Sequence, residues 1–426
     1  MDQVQIMHVV SKANNAVTAT VELKPTDRPL ASSSIRVATS LISLSSNNLS
    51  YARGGDFLHW WDTYPVPSTA PAPYNDTKLW GIVPAWGYAT VLETTSPITP
   101  GTVIWGFWPT SSGHTDLKVQ QSSIEGHWTE VSEHRSQLMT IYNQYRVVPD
   151  IPSVSSLQGN ELHQAAWEIL FRPTWGTGYL IAQYVFAPET QPPIHPLGID
   201  ANWTAEDADL SHAVVISLSA SGKTARSCAW HLAQRPKTSG ALGILQISSS
   251  PNIGSKDRLP MATRTVTYNE IPSAETLEWV TGLKPSRIVI LDFGGRGNSL
   301  DDLLASLNSD AVLKSLEVTI LQIGSEQKIY TKEEILAGRE KASRLGKVLY
   351  NTSGVRDAVI ACGGREALVQ AEKAAWEKWI GESREFMPDM QIKMGVGIKG
   401  SDGVEGGWER LCKGSVGATE GLVYKL

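Results

Sequence analysis

Apolar positions fall into two patterns along the chain. In the first third they come in short runs between breakers. Residues 35–44, IRVATSLISL, place apolar side chains at Ile35, Val37 and Leu41, the alternation of a half-buried strand. KLWGIVPAWGYATVLE and GTVIWGFWP follow, and the intervening PVPSTAPAPYND (65–76) reads as a surface loop. Short strands with turn signals at this spacing predict a barrel-like or meander β domain. Helices are predicted over 136–145, with Leu138, Ile141, Tyr142 and Tyr145 on one face, and over 161–170. From residue 212 the pattern changes. HAVVISLSASGKTARSCAWHLAQR reads as a buried strand, a small-residue turn and a helix, and GALGILQISSS, RIVILDF and LEVTILQIG add three more buried strands. Continuous apolar strands alternating with helical segments predict a parallel sheet covered on both faces. Thr331 and Glu334 form a capping-box signature, and a long helix is predicted over 365–382. The Gly-rich tail, MQIKMGVGIKGSDGVEGGWERLCKG, reads as strand-like and is expected to return to the first domain.

Composition sharpens this picture. A chain of 426 residues exceeds one ordinary core and predicts two or three domains. With 37 basic and 43 acidic side chains the net charge is −6, which offers no electrostatic footprint for nucleic acid or an anionic membrane. No apolar run reaches the roughly 18 residues of a membrane span. The first residues, MDQVQIMHVVSK, lack the layout of a secretory signal. Three cysteines, Cys228, Cys362 and Cys412, exclude a disulfide framework, so a reducing, cytoplasmic setting is expected. Without CxxC or HExxH, no metal site is expected. Tryptophan is abundant, at 15 against 6 Phe and 12 Tyr, and ten of the 15 lie between Trp60 and Trp203.

The chemistry-bearing segment is the turn Ser217-Leu-Ser-Ala-Ser-Gly-Lys-Thr-Ala225, between a buried strand and a helix. Small residues let a ligand approach the backbone, and the amides and dipole of the helix start favour phosphate. Three readings compete. A degenerate P-loop fits at Gly222, Lys223 and Thr224, with Ser217 in place of the first glycine and Asp292 imitating a Walker B acid. A degenerate dinucleotide turn fits with Ser219, Ser221 and Thr224 at the glycine positions. The third reading is a tight strand-to-helix turn that binds nothing.

The order of β domain, two helices, βαβ array and Gly-rich return resembles the medium-chain dehydrogenase/reductase superfamily, particularly its zinc-free quinone oxidoreductase and enoyl reductase branches. The pieces that carry the resemblance are the 35–48 strand leading into SSNNLSY, PAWGYATVLE, GTVIWGFWP, FRPTWGTGYLI, the SASGKTA turn and ISSSPN. More narrowly, the chain looks like a branch known mostly as a domain of unknown function in fungi and bacteria, whose members carry a Ser/Ala/Lys/Thr turn in place of the glycine fingerprint. The resemblance implies an α/β fold: a GroES-like β-rich substrate domain (1–160), a Rossmann-like nucleotide-binding domain (161–375) and a C-terminal return segment (376–426) packing on the first. It also implies a homodimer built by extending the nucleotide-domain sheet. The zinc ligands of alcohol dehydrogenases have no counterpart, since no Cys precedes Cys228.

If a dinucleotide binds, the end of the second strand reads Ser248, Ser249, Ser250, with Asn252, Lys256 and Arg258 following, instead of an acid. Hydroxyls and cations suit a 2′-phosphate, which points to NADP(H); the alternative is ordinary loop residues. Gly294 and Gly324 close later parallel strands, where ligands bind in open sheets, or are simply turn formers.

In the aromatic half, Tyr51 lies where related zinc-free reductases offer substrate-contacting groups, and it could protonate an enolate. His59 and His114 are candidate acids or bases. Trp60, Trp61, Tyr64, Trp86 and Trp108 are candidate walls of a cleft for a large, flat or apolar substrate, with core filling as the competing role. The nucleotide half is expected to hold few aromatics. The leading expectation is a zinc-independent, NADP(H)-dependent reductase of a carbonyl or activated alkene in a natural-product-like small molecule. Behind it stand a cofactor-free cyclase or isomerase of a polyketide or terpenoid intermediate, a non-catalytic binder, and last a P-loop hydrolase.

Overall fold

The computed structural model describes residues 4–24, 28–188, 191–250, 253 and 258–426. Two compact units emerge. One comprises Met1–Phe171, Gln327–Tyr330 and Gln391–Leu426, the other Arg172–Glu326 and Thr331–Met390.

The first unit is built on the strand Ser34–Leu44, which buries Ile35, Val37 and Leu41 completely. One edge of this long strand pairs with Ala85–Thr94. The other edge is shared, His114–Gln121 pairing with residues 34–38 and Glu420–Lys425 with residues 41–44. Continuing through Val103–Trp108, Gln144–Val147 and His127–Glu130 closes a ring of six antiparallel strands, to which Gln391–Val396 and Glu420–Lys425 are appended. A closed ring leaves its members no free edge. Gly87 and Gly106 sit opposite each other in this ring, and neither has room for a side chain: one on Gly87 would strike the Leu41 backbone, and one on Gly106 the Tyr145 ring. Trp108 Nε1 donates to the Gly87 carbonyl at 3.0 Å.

Two expectations fail here. Residues 136–145 form no α-helix; they form a 3₁₀ turn, Thr140–Asn143, running into the strand Gln144–Val147. Tertiary bonds override the helical periodicity, since the Tyr145 hydroxyl accepts from Arg135 Nη1 at 2.8 Å and reaches the Phe107 carbonyl at 3.2 Å. The tail holds a helix, Val404–Cys412, between its two strands. Gly407 belongs in that helix because a side chain there would strike the Tyr424 hydroxyl.

The second unit is a six-stranded parallel sheet. Its order is Thr263–Thr267, Gly243–Ser248, Ala213–Leu218, Arg287–Phe293, Glu317–Gly324, Val348–Leu349. In chain order this is 3-2-1-4-5-6, the arrangement of dinucleotide-binding sheets, whose switch point lies between the first and fourth strands. Ala213–Leu218 and Gly243–Ser248 are buried at every residue, as a sheet covered on both faces demands. The helix predicted over 161–170 extends over Gly159–Leu180, through Pro173, into a π turn at Ile181–Val185.

The expected scarcity of aromatics in the nucleotide half is overturned. Trp175 stacks on Tyr179 (5.2 Å between centroids, 11°), meets Trp376 edge-on (5.1 Å), and Trp376 stacks on Trp379 (5.2 Å). Trp175 and Tyr179 also pack against His231 (5.5 and 5.4 Å), whose imidazole burial pushes down to about 3.

A second buried imidazole makes the first unit acid-sensitive. His8 is fully buried, 5.7 Å from the Trp408 ring, and burial pushes it down to about 4. In the unfolded chain it titrates near 6.5. Between those values the unfolded state binds more protons, so stability present above pH 6.5 is lost as the pH falls toward 4. The expected loss between pH 7 and pH 5 is about 2 kcal/mol from this side chain, and His8→Phe should flatten the pH dependence by that amount. Thermal unfolding across that range checks it; parallel curves for the two proteins would refute it.

Candidate functional site

Ala213–Leu218 ends directly in the turn of interest. Ser217 is buried inside the strand, so the wrapped loop of a P-loop has no room to form, and Asp292 is already engaged by protein donors. The turn proper is Ser219–Gly222. Ser219 is left-handed (φ 59°), Ala220 N donates to the Ile247 carbonyl at 3.0 Å, and Gly222 N donates to the Ser219 carbonyl at 2.9 Å. Gly222 caps the helix Lys223–Ala233, which has no side-chain cap and no acid in its first turn. Ser221, Gly222, Lys223 and Thr224 are all half-buried at this helix start. Beneath them Arg226 is fully buried, with Nε donating to the Ser221 carbonyl at 2.9 Å and both terminal nitrogens donating to Asp389, at 2.7 and 2.6 Å. This buried guanidinium fixes the turn from below, a role with no signature in the sequence.

Around the turn lie the ends of neighbouring strands. Ser219 Oγ donates to the Gly294 carbonyl at 2.7 Å. Gly294 (φ 109°) and Gly324 sit where two strand ends press together; a side chain on the first would meet Ser325 O, and one on the second Phe293 O. Close packing accounts for both glycines. On the other side Ser248 is buried and bonded to Ser250 (Oγ to the carbonyl, 2.5 Å), while Ser249 and Ser250 are exposed. Lys256 and Asn252 lie outside the described residues, and Arg258 pairs with Glu385 at 3.2 Å.

The aromatic candidates separate. Tyr64, Trp61 and Trp108 belong to the barrel core. Tyr64 Oη donates to the Phe107 carbonyl at 2.6 Å under the Arg135 guanidinium, 4.4 Å from its ring; Trp61 packs against Gly55 and Gly81; Trp108 is fully buried. His59 is tied to Asp62 (2.9 Å) at the start of a 3₁₀ turn. His114 is exposed in a hollow beside Arg36 and Asp116. On the strand Ser34–Leu44 it faces Ala38, whereas Trp86 faces Ser43, about 17 Å further along.

Tyr51, Trp60 and Trp86 do come together. Tyr51, on the helix Ser46–Arg53, packs edge-on against Trp60 (4.9 Å) and Phe107 (5.0 Å). Trp86 Nε1 donates to Tyr51 Oη at 3.1 Å, and the Tyr142 hydroxyl is hydrogen-bonded to the same oxygen. Burial outweighs these bonds and pushes the phenol up to about 12. Trp86 stacks on Trp105 (5.6 Å, 16°), and these two rings and Tyr142 are half-buried, the accessible side of the cluster. Tyr142 escaped notice because its segment reads as a helix.

The family model described as "Protein of unknown function (DUF2855)" matches residues 42–417. The chain belongs to this family. No curated protein matches its sequence. Its fold is similar to solved structures over nearly the whole of both chains. A mutant enoyl thioester reductase from Candida tropicalis shares 11% identity over 99% of this chain and 100% of that one, with a TM-score of 0.53. The Etr1p complex with NADP and crotonyl-CoA (12%, 99% and 100%, 0.51) and Escherichia coli quinone oxidoreductase complexed with NADPH (15%, 99% and 100%, 0.50) are alike to the same degree. The medium-chain dehydrogenase fold expected from the sequence is thereby established: this DUF2855 chain is α/β, with a GroES-like six-stranded barrel and a Rossmann-like parallel sheet.

Proposed function

We propose that this chain is a zinc-independent, NADP(H)-using reductase of a carbonyl or activated alkene in a bulky apolar or aromatic molecule. The observation that carries the reading is the uncapped helix start at Gly222 and Lys223, placed at the switch point of a 3-2-1-4-5-6 sheet. First-turn amides with no competing side-chain cap suit a diphosphate. Ser249, exposed at the end of the second strand where NAD-specific sheets carry an acid, suits a 2′-phosphate. The residues present therefore fit NADP(H), which would supply the hydride. The chain's own part is to seat the phosphates on the turn, lay a flat substrate against Trp86 and Trp105, and deliver a proton from Tyr51 Oη. The bonds from Trp86 and Tyr142 onto that oxygen stabilise the phenolate left behind.

Titration with NADPH, followed by cofactor fluorescence, tests the reading. Saturable binding is expected, and none at millimolar cofactor overturns it. Ser249→Asp should place a carboxylate against the 2′-phosphate and shift the NADPH-to-NADH affinity ratio by about 100-fold toward NADH, since like charges in contact cost several kcal/mol. An unchanged ratio would remove Ser249 from the site.

A further inference from the structure

Ser219 holds a left-handed backbone (φ 59°) at the position where a dinucleotide turn normally has its first glycine, a conformation a side chain disfavours. Its hydroxyl shows what keeps it there. Ser219 Oγ lies 2.7 Å from the Gly294 carbonyl and 3.1 Å from Tyr268 Oη. The carbonyl takes the single hydroxyl proton of Ser219, so the phenol of Tyr268 must be the donor in the second bond. The chain of bonds thus runs from Tyr268 to Ser219 to Gly294. It continues through Gly294 N and Gly295 N onto Asp292 Oδ1, at 3.0 and 2.8 Å, and ends at Lys347 Nζ on Asp292 Oδ2, at 3.2 Å. The Asp292 and Lys347 side chains are each only 9% exposed, so this end of the network is a fixed anchor.

The other end is not. Tyr268 is half-buried in a 3₁₀ turn that follows the strand Thr263–Thr267, while Ser219 follows Ala213–Leu218. Gly243–Ser248 lies between those strands, so the two backbones are about 10 Å apart. To reach Ser219 the Tyr268 side chain must extend over the carboxyl end of the middle strand. That end carries Ser248 and Ser249, where an adenosine ribose would be read.

We propose that Tyr268 is a gate on the adenosine side of the nucleotide seat. Its ring covers the end of the middle strand while its phenol latches Ser219, and a dinucleotide binds only to molecules in which that hydrogen bond is open. The ligand's identity rests on the function proposed above; the latch itself does not. Binding to a minor open state weakens apparent affinity in proportion to the closed fraction.

Tyr268→Phe keeps the ring and removes the donor. Opening the latch by one neutral hydrogen bond should tighten NADPH binding about fivefold. In the nucleotide-free protein the Ala220 and Gly222 amides, which bond Ile247 O and Ser219 O, should exchange with solvent about fivefold faster. Ser219→Gly, which removes the acceptor and suits the positive φ, should tighten NADPH in the same direction. The double variant should gain no more than Ser219→Gly alone, because that change already removes the bond that Tyr268→Phe breaks, together with the Ser219 bond to Gly294. Unchanged amide exchange in Tyr268→Phe, or weaker NADPH binding, overturns the gate. Faster exchange with no NADPH binding by any of these proteins separates the cases: the latch exists, but both the cofactor reading and the gate as a nucleotide device fall.

Discussion

Replacing Asp389 by alanine is expected to lower the melting temperature of the second unit by about 10 °C. The reason lies in its partner. Arg226 is completely buried in the helix Lys223–Ala233, and its two terminal nitrogens donate to the Asp389 carboxylate at 2.7 and 2.6 Å. Removing one member of such a pair leaves an uncompensated buried charge, which costs about 3–5 kcal/mol. Because Asp389 is 25% exposed, water can partly replace it, and the lower end applies. For a unit of this size each kcal/mol moves the midpoint by about 2–4 °C. Replacing both partners, as in Arg226→Met with Asp389→Leu, should recover much of the stability, because no charge is left to solvate. It should not recover the turn, since the bond from Arg226 Nε to the Ser221 carbonyl is gone. Calorimetry on the single and double variants checks the first point, and NADPH affinity checks the second. A single variant that melts within 2 °C of the parent would show that the pair contributes little.

That buried pair also shows where sequence reasoning runs out. Strands such as Arg287–Phe293 were legible because both faces are covered and the run Ile288, Val289, Ile290 and Leu291 is apolar and buried. Thr263–Thr267 was not, since it is the outermost strand on its side of the sheet and only Val266 is buried. The turn was legible from its small residues and its place after a buried strand. Its supports were not, because Arg226, Asp389, Tyr268 and Lys347 lie far apart in the chain and carry no spacing signature. Tryptophan abundance misled for a related reason. Counting rings cannot separate Trp108, locked under Gly87, from Trp86, whose half-buried ring is bonded to Tyr51. Nor could it reveal that Trp175, Trp376 and Trp379 converge from two helices far apart in the chain.

Changing Tyr51 to phenylalanine is expected to cut kcat by about 10²–10⁴ while leaving KM within a few-fold, the range for losing a positioned proton donor. The substitution is chosen because the ring, not the hydroxyl, packs on Trp60 and Phe107, so the barrel should survive it. Loss of the hydroxyl leaves the Trp86 N–H and the Tyr142 hydroxyl without their acceptor, at about 1–2 kcal/mol of stability, which thermal unfolding measures separately. The pH dependence supplies a second readout. With the phenol pushed up to about 12, the proton needed for transfer stays on Tyr51 throughout the neutral and mildly alkaline range. The parent's activity should therefore show no alkaline fall from this group below about pH 10, where an unperturbed phenol would begin to lose its proton. A high pKa alone makes a poor acid; in the proposed role, the hydrogen bonds from Trp86 and Tyr142 would offset this by stabilising the charge that develops during transfer. Trp86→Phe should accordingly lower kcat as well, by a smaller factor of about 10, without removing the donor. If Tyr51→Phe turns over within threefold of the parent, the phenol is a core residue and the proton must come from another group.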